Sequence, residues 1–150
     1  MEDELFDQTV TELLTRSGCK VTVRIEPRFR DNRLVGGKYH MGSHTVYLYK
    51  EEIIRQCCTL FGSTDRLKEY IAVILAHELG HSEDTELVQL ADALERPVSQ
   101  REEAEIRLRI EQNAWAYAEA LLSDTDSAFL QLIIEESLLS YRNTLQLHIA

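Results

Sequence analysis

Five consecutive residues, His77-Glu78-Leu79-Gly80-His81, form the pattern in this chain that could do chemistry. Residues four apart lie above one another on an α-helix, so this spacing presents the imidazoles of His77 and His81 side by side. Two such imidazoles can bind one zinc ion. Glu78 is rotated by about 100° from His77 around the helix, which directs its carboxylate toward a metal-bound water rather than the metal. The pattern predicts a zinc site with Glu78 as the catalytic base.

The helix that carries this pattern is expected to be buried. The six residues before His77 are all apolar, Ile71-Ala72-Val73-Ile74-Leu75-Ala76, which is typical of a helix buried on most of its sides. Burying unpaired imidazoles and carboxylates costs on the order of several kcal/mol. The alternative is a set of solvated side chains on an exposed helix, and the apolar run favours the metal site over it.

A zinc site also needs a third protein ligand. In the metzincin class it would be a histidine at position 87, preceded by a glycine at position 84. This chain has Leu87 and Asp84 there, which excludes that class. The remaining histidines, His40, His44 and His148, have no obvious ligand spacing, so we expect a carboxylate.

Helical geometry selects Glu111 as that carboxylate. Ser99-x-x-Glu102 is a capping box that predicts a helix of about two dozen residues, and Glu111 falls within its apolar arc. A carboxylate in such an arc is costly unless it is paired or bound to a metal. Arg107, one turn earlier, leaves a buried ion pair as the alternative. Glu103 also lies in the arc, but its place in the first turn is explained by the helix dipole.

The other patterns predict helices on either side of a few strands. Apolar spacing predicts six helices, at about residues 3–16, 51–61, 65–81, 87–94, 99–122 and from 126 onward. Alternating residues predict three strands, Val21–Ile25, Gly37–Met41 and His44–Tyr49. Gly42-Ser43 suggests a two-residue hairpin turn, and Asp31-Asn32 a second turn. Ser63-Thr64-Asp65 offers a cap for the histidine helix. This order predicts an α+β domain.

Composition and charge narrow the class of protein. With 150 residues, of which 44% are hydrophobic and 28% charged, the chain is typical of one globular domain, 1–150. The net charge of −10 argues against a direct nucleic-acid interface, which needs a basic surface to neutralise phosphates. It does not exclude a basic protein partner.

Cysteine content and the lack of long apolar runs set the expected compartment. The three cysteines, Cys19, Cys57 and Cys58, are odd in number and irregularly spaced, so we expect no disulfide framework and a reducing, cytoplasmic location. The acidic start of the chain has no apolar signal-peptide region, and no apolar run approaches a membrane span. We therefore expect a protein without a membrane segment.

A second motif follows the first after 111 − 81 = 30 residues, Glu111-x-x-Ala114-Trp115-x-Tyr117-Ala118-x-x-Leu121-Leu122. Together with His77-Glu78-Leu79-Gly80-His81, it resembles the ImmA/IrrE metallopeptidase family, small gluzincin-like proteins of bacteria, phages and mobile elements. The family pattern is H-E-[LI]-G-H, then E-x-x-A-[ND]-x-[FW]-A-x-x-[LI]-[LIM]. The resemblance covers roughly residues 37–122 and leaves the last helix, about 123–150, outside. Trp115 departs from the usual Asn or Asp.

The resemblance implies a zincin-like fold and a zinc-dependent endopeptidase. His77, His81 and Glu111 match the ligands of one zinc ion, and Glu78 matches the catalytic base. Family members are described as cleaving a helix-turn-helix transcriptional repressor, so the implied partner is a protein substrate of that kind. The acidic segment after His81 lacks the apolar stretch common in the family. The resemblance therefore indicates the metal more specifically than it indicates the substrate.

Two other functions remain open from the sequence. The protein could be a non-catalytic, metal-stabilised binding module that sequesters a regulatory protein, or a helical regulator in which His77 and His81 are buried without metal. For the enzyme, the substrate is expected to add in extended form to the strand His44–Tyr49. Four candidates could stabilise the oxyanion of the reaction: His40, His44, Tyr47 and Tyr117. The sequence does not specify the oligomeric state.

Overall fold

The computed structural model of the protein describes residues 2–28 and 35–149. Within these ranges the chain forms six helices and three strands. They follow one another as α1 (Glu2–Ser17), β1 (Thr22–Glu26), β2 (Gly37–His40), β3 (Thr45–Tyr49), α2 (Lys50–Phe61), α3 (Leu67–Glu83), α4 (Leu87–Leu94), α5 (Gln100–Leu121) and α6 (Ser127–Leu147). The predicted α+β class is confirmed, whereas the zincin-like fold remains a prediction.

The three strands form one mixed sheet in the order β1-β3-β2. The central strand, β3, runs parallel to β1 and antiparallel to β2. Its apolar residues Val46 and Leu48 are fully buried. The strand β2 is therefore at an edge of the sheet, with β3 as its neighbour on the inner side.

The hairpin between β2 and β3 is present, but the prediction of a two-residue turn is wrong. Pairing ends at His40 and Thr45, so four residues, 41–44, connect the strands. The imidazole Nδ1 of His40 accepts a hydrogen bond from the Ser43 backbone N–H at 3.2 Å, which stabilises the longer loop. His44 has a φ of 50°, in the left-handed region that non-glycine residues adopt mainly in turns and loops. The predicted turn at Asp31-Asn32 lies outside the described residues.

Helix ends were predicted with mixed success. Gly18, at a φ of 70°, ends α1 by donating its N–H to the Leu14 carbonyl, as expected. The Ser99 side chain accepts a hydrogen bond from the Glu102 N–H at 3.1 Å, which confirms the predicted cap of α5. The predicted cap of α3 is wrong, because this helix begins at Leu67 and Arg66 at its N-cap makes no side-chain cap bond.

The helix α3 lies at the centre of the fold and packs against α1, α2, α5, β2 and β3. Its apolar run is buried as predicted, with Ile71, Val73, Leu75 and Ala76 all at 0% exposure. Burial of each large side chain in this run contributes about 1.5–3 kcal/mol. Because the run leads directly into His77, the same packing that stabilises the core fixes the position of the histidines.

The expectations about disulfides and membrane segments can be compared with the described part of the chain. Cys19, Cys57 and Cys58 are all free thiols. Among the helices within residues 2–28 and 35–149, none has the length and apolar character needed to cross a bilayer.

Candidate metal centre

The helices α3 and α5 approach each other closely at Gly80 and Ala114. A Cβ atom added to Gly80 would overlap the carbonyl oxygen of Ala114 and lie 2.8 Å from its Cα. Only glycine therefore allows this approach. Gly80 is one turn after His77, and Ala114 is one turn after Glu111, so the close crossing brings the two chemically active segments together.

The structure places His77, His81 and Glu111 in one cluster. The Nε2 atom of His77 is 2.9 Å from Oε1 of Glu111, and the Nε2 atom of His81 is 3.4 Å from Oε2 of the same carboxylate. The two imidazole centroids are 4.7 Å apart. Two ligands that are each about 2 Å from a tetrahedral zinc ion lie roughly 3.3 Å apart. The three side chains thus have a separation and a chemistry that fit a zinc ion.

The cluster is shielded from solvent. The side chains of His77 and His81 are each 11% exposed, and that of Glu111 is 14% exposed. The Nδ1 atom of His81 is buried and has no hydrogen-bond partner among the described residues. A buried nitrogen without a partner is costly, so His81 is a member of the cluster that the side chains around it do not fully satisfy.

Glu78 is a second buried carboxylate in the same cluster. Its Oε2 atom is 3.0 Å from Nδ1 of His77, on the side of the ring opposite to Glu111. The buried group His77, Glu78 and His81, with possible ligand atoms within 4.8 Å of one another, could hold a metal ion. Glu111 is the better third ligand on geometric grounds, because its carboxylate faces the Nε2 atoms of both histidines. Glu78 then remains beside the ligands rather than among them.

The protonation state of His77 depends on the neighbouring carboxylates of Glu78 and Glu111. Burial lowers the pKa of His77, but the negative charges of Glu78 and Glu111 outweigh it and raise that pKa to about 10. Burial raises the pKa of Glu111, but hydrogen bonds from His77 and His81 outweigh it and lower that pKa to about 2. At neutral pH the metal-free cluster is therefore an internal ion pair, and a metal ion must displace a proton from His77.

Trp115 holds the His77 ring in place by stacking. The two rings are parallel to within 25°, with their centroids 4.3 Å apart. The indole N–H donates a hydrogen bond to Ser137 Oγ on α6 at 3.2 Å. This is the position at which the chain departs from the family pattern. The ring of His77 is oriented by this packing, and its Nδ1 atom contacts Glu78.

The alternative partner proposed for Glu111 is not used. Arg107 bonds to Glu103 at 3.0 Å, on the exposed face of α5. The pair has the four-residue spacing that favours ion pairs along a helix, so the sequence did contain a signal for it. The carboxylate of Glu111 is consequently left to the two histidines.

A cavity of about 730 Å³ opens beside the cluster. Its wall includes His77, Glu78, His81 and Glu111. Further walls come from β2, α2 and α6, and the residues of α6 that line it are Ile133, Glu136, Ser137, Ser140 and Tyr141. This volume is within the range of about 300–1,000 Å³ that is usual for ligand sites. The sequence analysis missed the contribution of α6.

None of the four candidates for stabilising an oxyanion lines this cavity among the described residues. His40 contacts Ser43 Oγ, and His44 contacts the Tyr39 hydroxyl, each at 2.8 Å in the exposed hairpin. Tyr47 stacks on Tyr49. Tyr117 has its hydroxyl 3.3 Å from Cys19 Sγ. Hairpin and core contacts hold the polar atoms of these four residues, so the structure does not support any of them as the oxyanion donor.

The strand beside the cluster is β2, not β3 as the sequence suggested. A Cβ atom on Gly37 would lie 2.9 Å from Cγ of Glu78 and 3.2 Å from Cγ2 of Ile74, so glycine allows β2 to pass directly over α3. β3 is enclosed between β1 and β2. The edge of the sheet that borders the cavity is therefore formed by β2.

No protein-family model matches this chain, and no curated protein or solved structure matches it either. The resemblance to the ImmA/IrrE family accordingly remains a prediction from the two sequence motifs. A proposed function for this protein therefore depends on the geometry of the described residues.

Proposed function

We propose that this protein is a zinc-dependent endopeptidase, with His77, His81 and Glu111 as zinc ligands and Glu78 as the catalytic base. One observation carries the proposal. The Nε2 atoms of both histidines converge on the carboxylate of Glu111, in the wall of a cavity that is large enough for a peptide segment. Two imidazoles and one carboxylate are a ligand set of catalytic zinc sites, in which a fourth position is left open.

Glu78 has the environment that the base needs. When bound, zinc would supply a Lewis acid that polarises the peptide carbonyl and lowers the pKa of a water molecule. Glu78 would take the proton from the attacking water and return it to the leaving amine. Its carboxylate is buried and fixed by the contact with His77 Nδ1 at 3.0 Å, so it needs little reorganisation.

The edge strand β2 supports a polypeptide as the substrate. It borders the cavity through Gly37, Lys38 and Tyr39, next to Glu78. An extended peptide that adds to a sheet edge gains main-chain hydrogen bonds, while its side chains enter neighbouring pockets. We propose that the substrate lies along β2 with a side chain in the cavity.

The sequence resemblance supports a regulatory protein, such as a helix-turn-helix transcriptional repressor, as that substrate. The net charge of −10 suits a basic, DNA-binding partner, because complementary charge favours encounter. The three free cysteines agree with a reducing cytoplasmic compartment for both proteins.

The experiment that tests this function is the change Glu78→Gln, assayed for cleavage of unfolded casein and of a helix-turn-helix repressor. We expect zinc content to be unchanged and cleavage to be abolished, because the amide accepts no proton. Glu69→Gln on the exposed start of α3 is the control and should cleave normally. Cleavage by Glu78→Gln at the wild-type rate would contradict the mechanism.

A second candidate is a non-catalytic binding module that sequesters a regulatory protein. The observation that favours it is the mutual pairing of His77 with Glu78 and Glu111, which by itself satisfies most of the buried charge. The same variant separates the two functions. Sequestration of the repressor would survive Glu78→Gln, whereas peptide cleavage would not.

A further inference from the structure

The helix α6 forms one wall of the cavity with a single face. Ile133, Ser137 and Tyr141 recur at four-residue spacing, so their side chains lie above one another. The residues on the neighbouring face, such as Ile134 and Leu138, are buried in the core. Polar groups in the Ser137–Tyr141 row therefore face the cavity.

The position of this row is fixed relative to the histidines. The indole of Trp115 stacks on His77 and donates its N–H to Ser137 Oγ at 3.2 Å. Tyr141 follows Ser137 by one turn. The Trp115 side chain that stacks on His77 thus also holds α6 in the register that brings Tyr141 to the cavity.

Tyr141 carries a hydroxyl group in the wall of the cavity. In the part of the chain that the structure describes, this hydroxyl makes no hydrogen bond. The side chain is partly buried and lines the same cavity as Glu78 and Glu111. Burial raises the pKa of Tyr141, the charges of Glu111 and Glu78 raise it further and that of Arg107 partly offsets them, so the hydroxyl keeps its proton at neutral pH.

We propose that Tyr141 is a catalytic residue that donates a hydrogen bond to the oxyanion of the peptide substrate. The assignment rests on the peptidase function proposed above. It gives α6, which lies outside the two motifs, a direct part in the reaction. It also provides the donor that His40, His44, Tyr47 and Tyr117 do not provide.

The step balances without a further reactant. The water oxygen forms a bond to the carbonyl carbon, the C=O electron pair moves onto the carbonyl oxygen, and Glu78 takes the proton of the water. The Tyr141 hydroxyl donates a hydrogen bond to the resulting oxyanion and keeps its own proton. When the C–N bond breaks, the electron pair re-forms the carbonyl, and Glu78 delivers its proton to the leaving nitrogen.

The test uses two peptides with the same apolar side chains and the zinc-loaded, full-length protein. A phosphinic peptide carries a tetrahedral anionic centre that imitates the oxyanion, whereas a thiol peptide reaches the metal with one sulfur and has no such oxygen. Binding is measured by calorimetry for the wild type, Tyr141→Phe and Tyr117→Phe. Tyr117 is the matched control, because its hydroxyl is bound to Cys19 and lies away from the cavity.

We expect Tyr141→Phe to bind the phosphinic peptide about 10- to 100-fold more weakly, since one hydrogen bond to a charged group is lost. Its binding of the thiol peptide and its zinc content should be unchanged, and Tyr117→Phe should match the wild type for both peptides. For a substrate that is cleaved, the loss in kcat should be about 100-fold or more.

Three results would overturn the assignment. Equal binding of the phosphinic peptide by Tyr141→Phe and wild type would exclude the hydrogen bond while leaving the peptidase function intact. If Tyr141→Phe bound both peptides more weakly by the same factor, Tyr141 would only shape the cavity. Failure of the wild type to bind zinc or either peptide would overturn the peptidase function, and the role of Tyr141 would fall with it.

Discussion

The two sides of the cavity satisfy their polar groups in different ways. On the side of α3 and α5, buried imidazoles and carboxylates contact one another, and only Nδ1 of His81 lacks a partner among the described residues. On the side of β2 and α6, the wall includes a sheet edge and the hydroxyl of Tyr141, which makes no hydrogen bond to any described residue. The first side could hold a metal ion, and the peptide substrate proposed above would contact the second.

This difference between the two sides affects how each responds to substitution. The side chains of the α3 and α5 cluster pair with one another, so the cluster is rigid and charged before a ligand binds. Such a cluster resists rearrangement, since removing one partner of a buried pair costs about 3–5 kcal/mol. Among the described residues, the buried charged pairs of the cluster do not extend into the wall of β2 and α6, so substitutions there should change ligand binding more than folding. The link between the two sides is the single tryptophan, Trp115, which touches His77 and Ser137.

The largest effect is expected from Gly80→Ala, which breaks the side that holds the ion. The added methyl group would overlap the backbone of Ala114 and push α3 and α5 apart. We expect a loss of about 3 kcal/mol in the free energy of unfolding, at the upper end for overpacking. Zinc retention should fall with it, because Glu111 moves away from His77 and His81. Chemical denaturation and zinc titration measure the two effects.

The control for that change is Gly62→Ala. Gly62 has a φ of 75° and open space around its Cα, so alanine strains only the backbone, by about 1 kcal/mol. Its zinc affinity should equal that of the wild type. A Gly80→Ala protein with normal stability and normal zinc retention would show that the close helix crossing does not set the ligand geometry.

A second prediction uses pH to examine the charge of the cluster. Since zinc must displace a proton from His77, whose pKa is about 10, zinc affinity should rise with pH between 6.5 and 10. The expected slope is up to about tenfold per pH unit. Fluorescence of Trp115, the only tryptophan in the chain, reports on the stacked imidazole and can follow the titration.

The control variant is Glu78→Gln, which removes one of the charges that raise the pKa of His77. The rise of zinc affinity with pH should therefore be less steep in this variant. The stability of the metal-free protein also depends on pH, through the shifted pKa values of His77 and Glu111. The contribution of His77 is complete below pH 6.5 and lost as the pH rises toward 10. That of Glu111 is complete above pH 4.5 and lost as the pH falls toward 2. Zinc affinity that is independent of pH between 7 and 9 would contradict this description.

The smallest effect is expected from Ser137→Ala, which loosens the link between the two sides. Loss of the hydrogen bond to the Trp115 indole should reduce the free energy of unfolding by about 1 kcal/mol and shift the tryptophan emission. Zinc affinity should stay the same, because the stacking on His77 remains. Ser140→Ala, an exposed neighbour on α6, should change neither quantity. If both variants gave the same emission, the indole would not be bound to α6 in solution.

The sequence predicted the α3 and α5 side well because its signals are local. His77 and His81 lie on one helix, so their spacing alone determines that their rings are adjacent. Glu111 could be selected because a carboxylate within an apolar arc needs a partner, whichever helix supplies it. The structure brings these three side chains together, and their binding of one metal ion stays a prediction.

The side of β2 and α6 was not predicted because its arrangement depends on tertiary packing. Ser137 and Tyr141 look like ordinary polar interruptions of an apolar helix, and only the packing of α6 against α5 directs them to the cavity. The order of the strands is also non-local. The chain enters β3 last, yet β3 pairs with β1 and β2 and takes the centre of the sheet, which leaves β2 at the edge beside Glu78.

The central claim is that His77, His81 and Glu111 bind one zinc ion. Elemental analysis of the purified wild type, Glu111→Ala and Glu103→Ala tests it most directly. Glu103 is the matched control, because it lies on the same helix but is exposed and paired with Arg107. We predict one zinc per chain for the wild type and Glu103→Ala, and weaker retention for Glu111→Ala. Absence of zinc from the wild type, even after zinc is added back, would contradict the account.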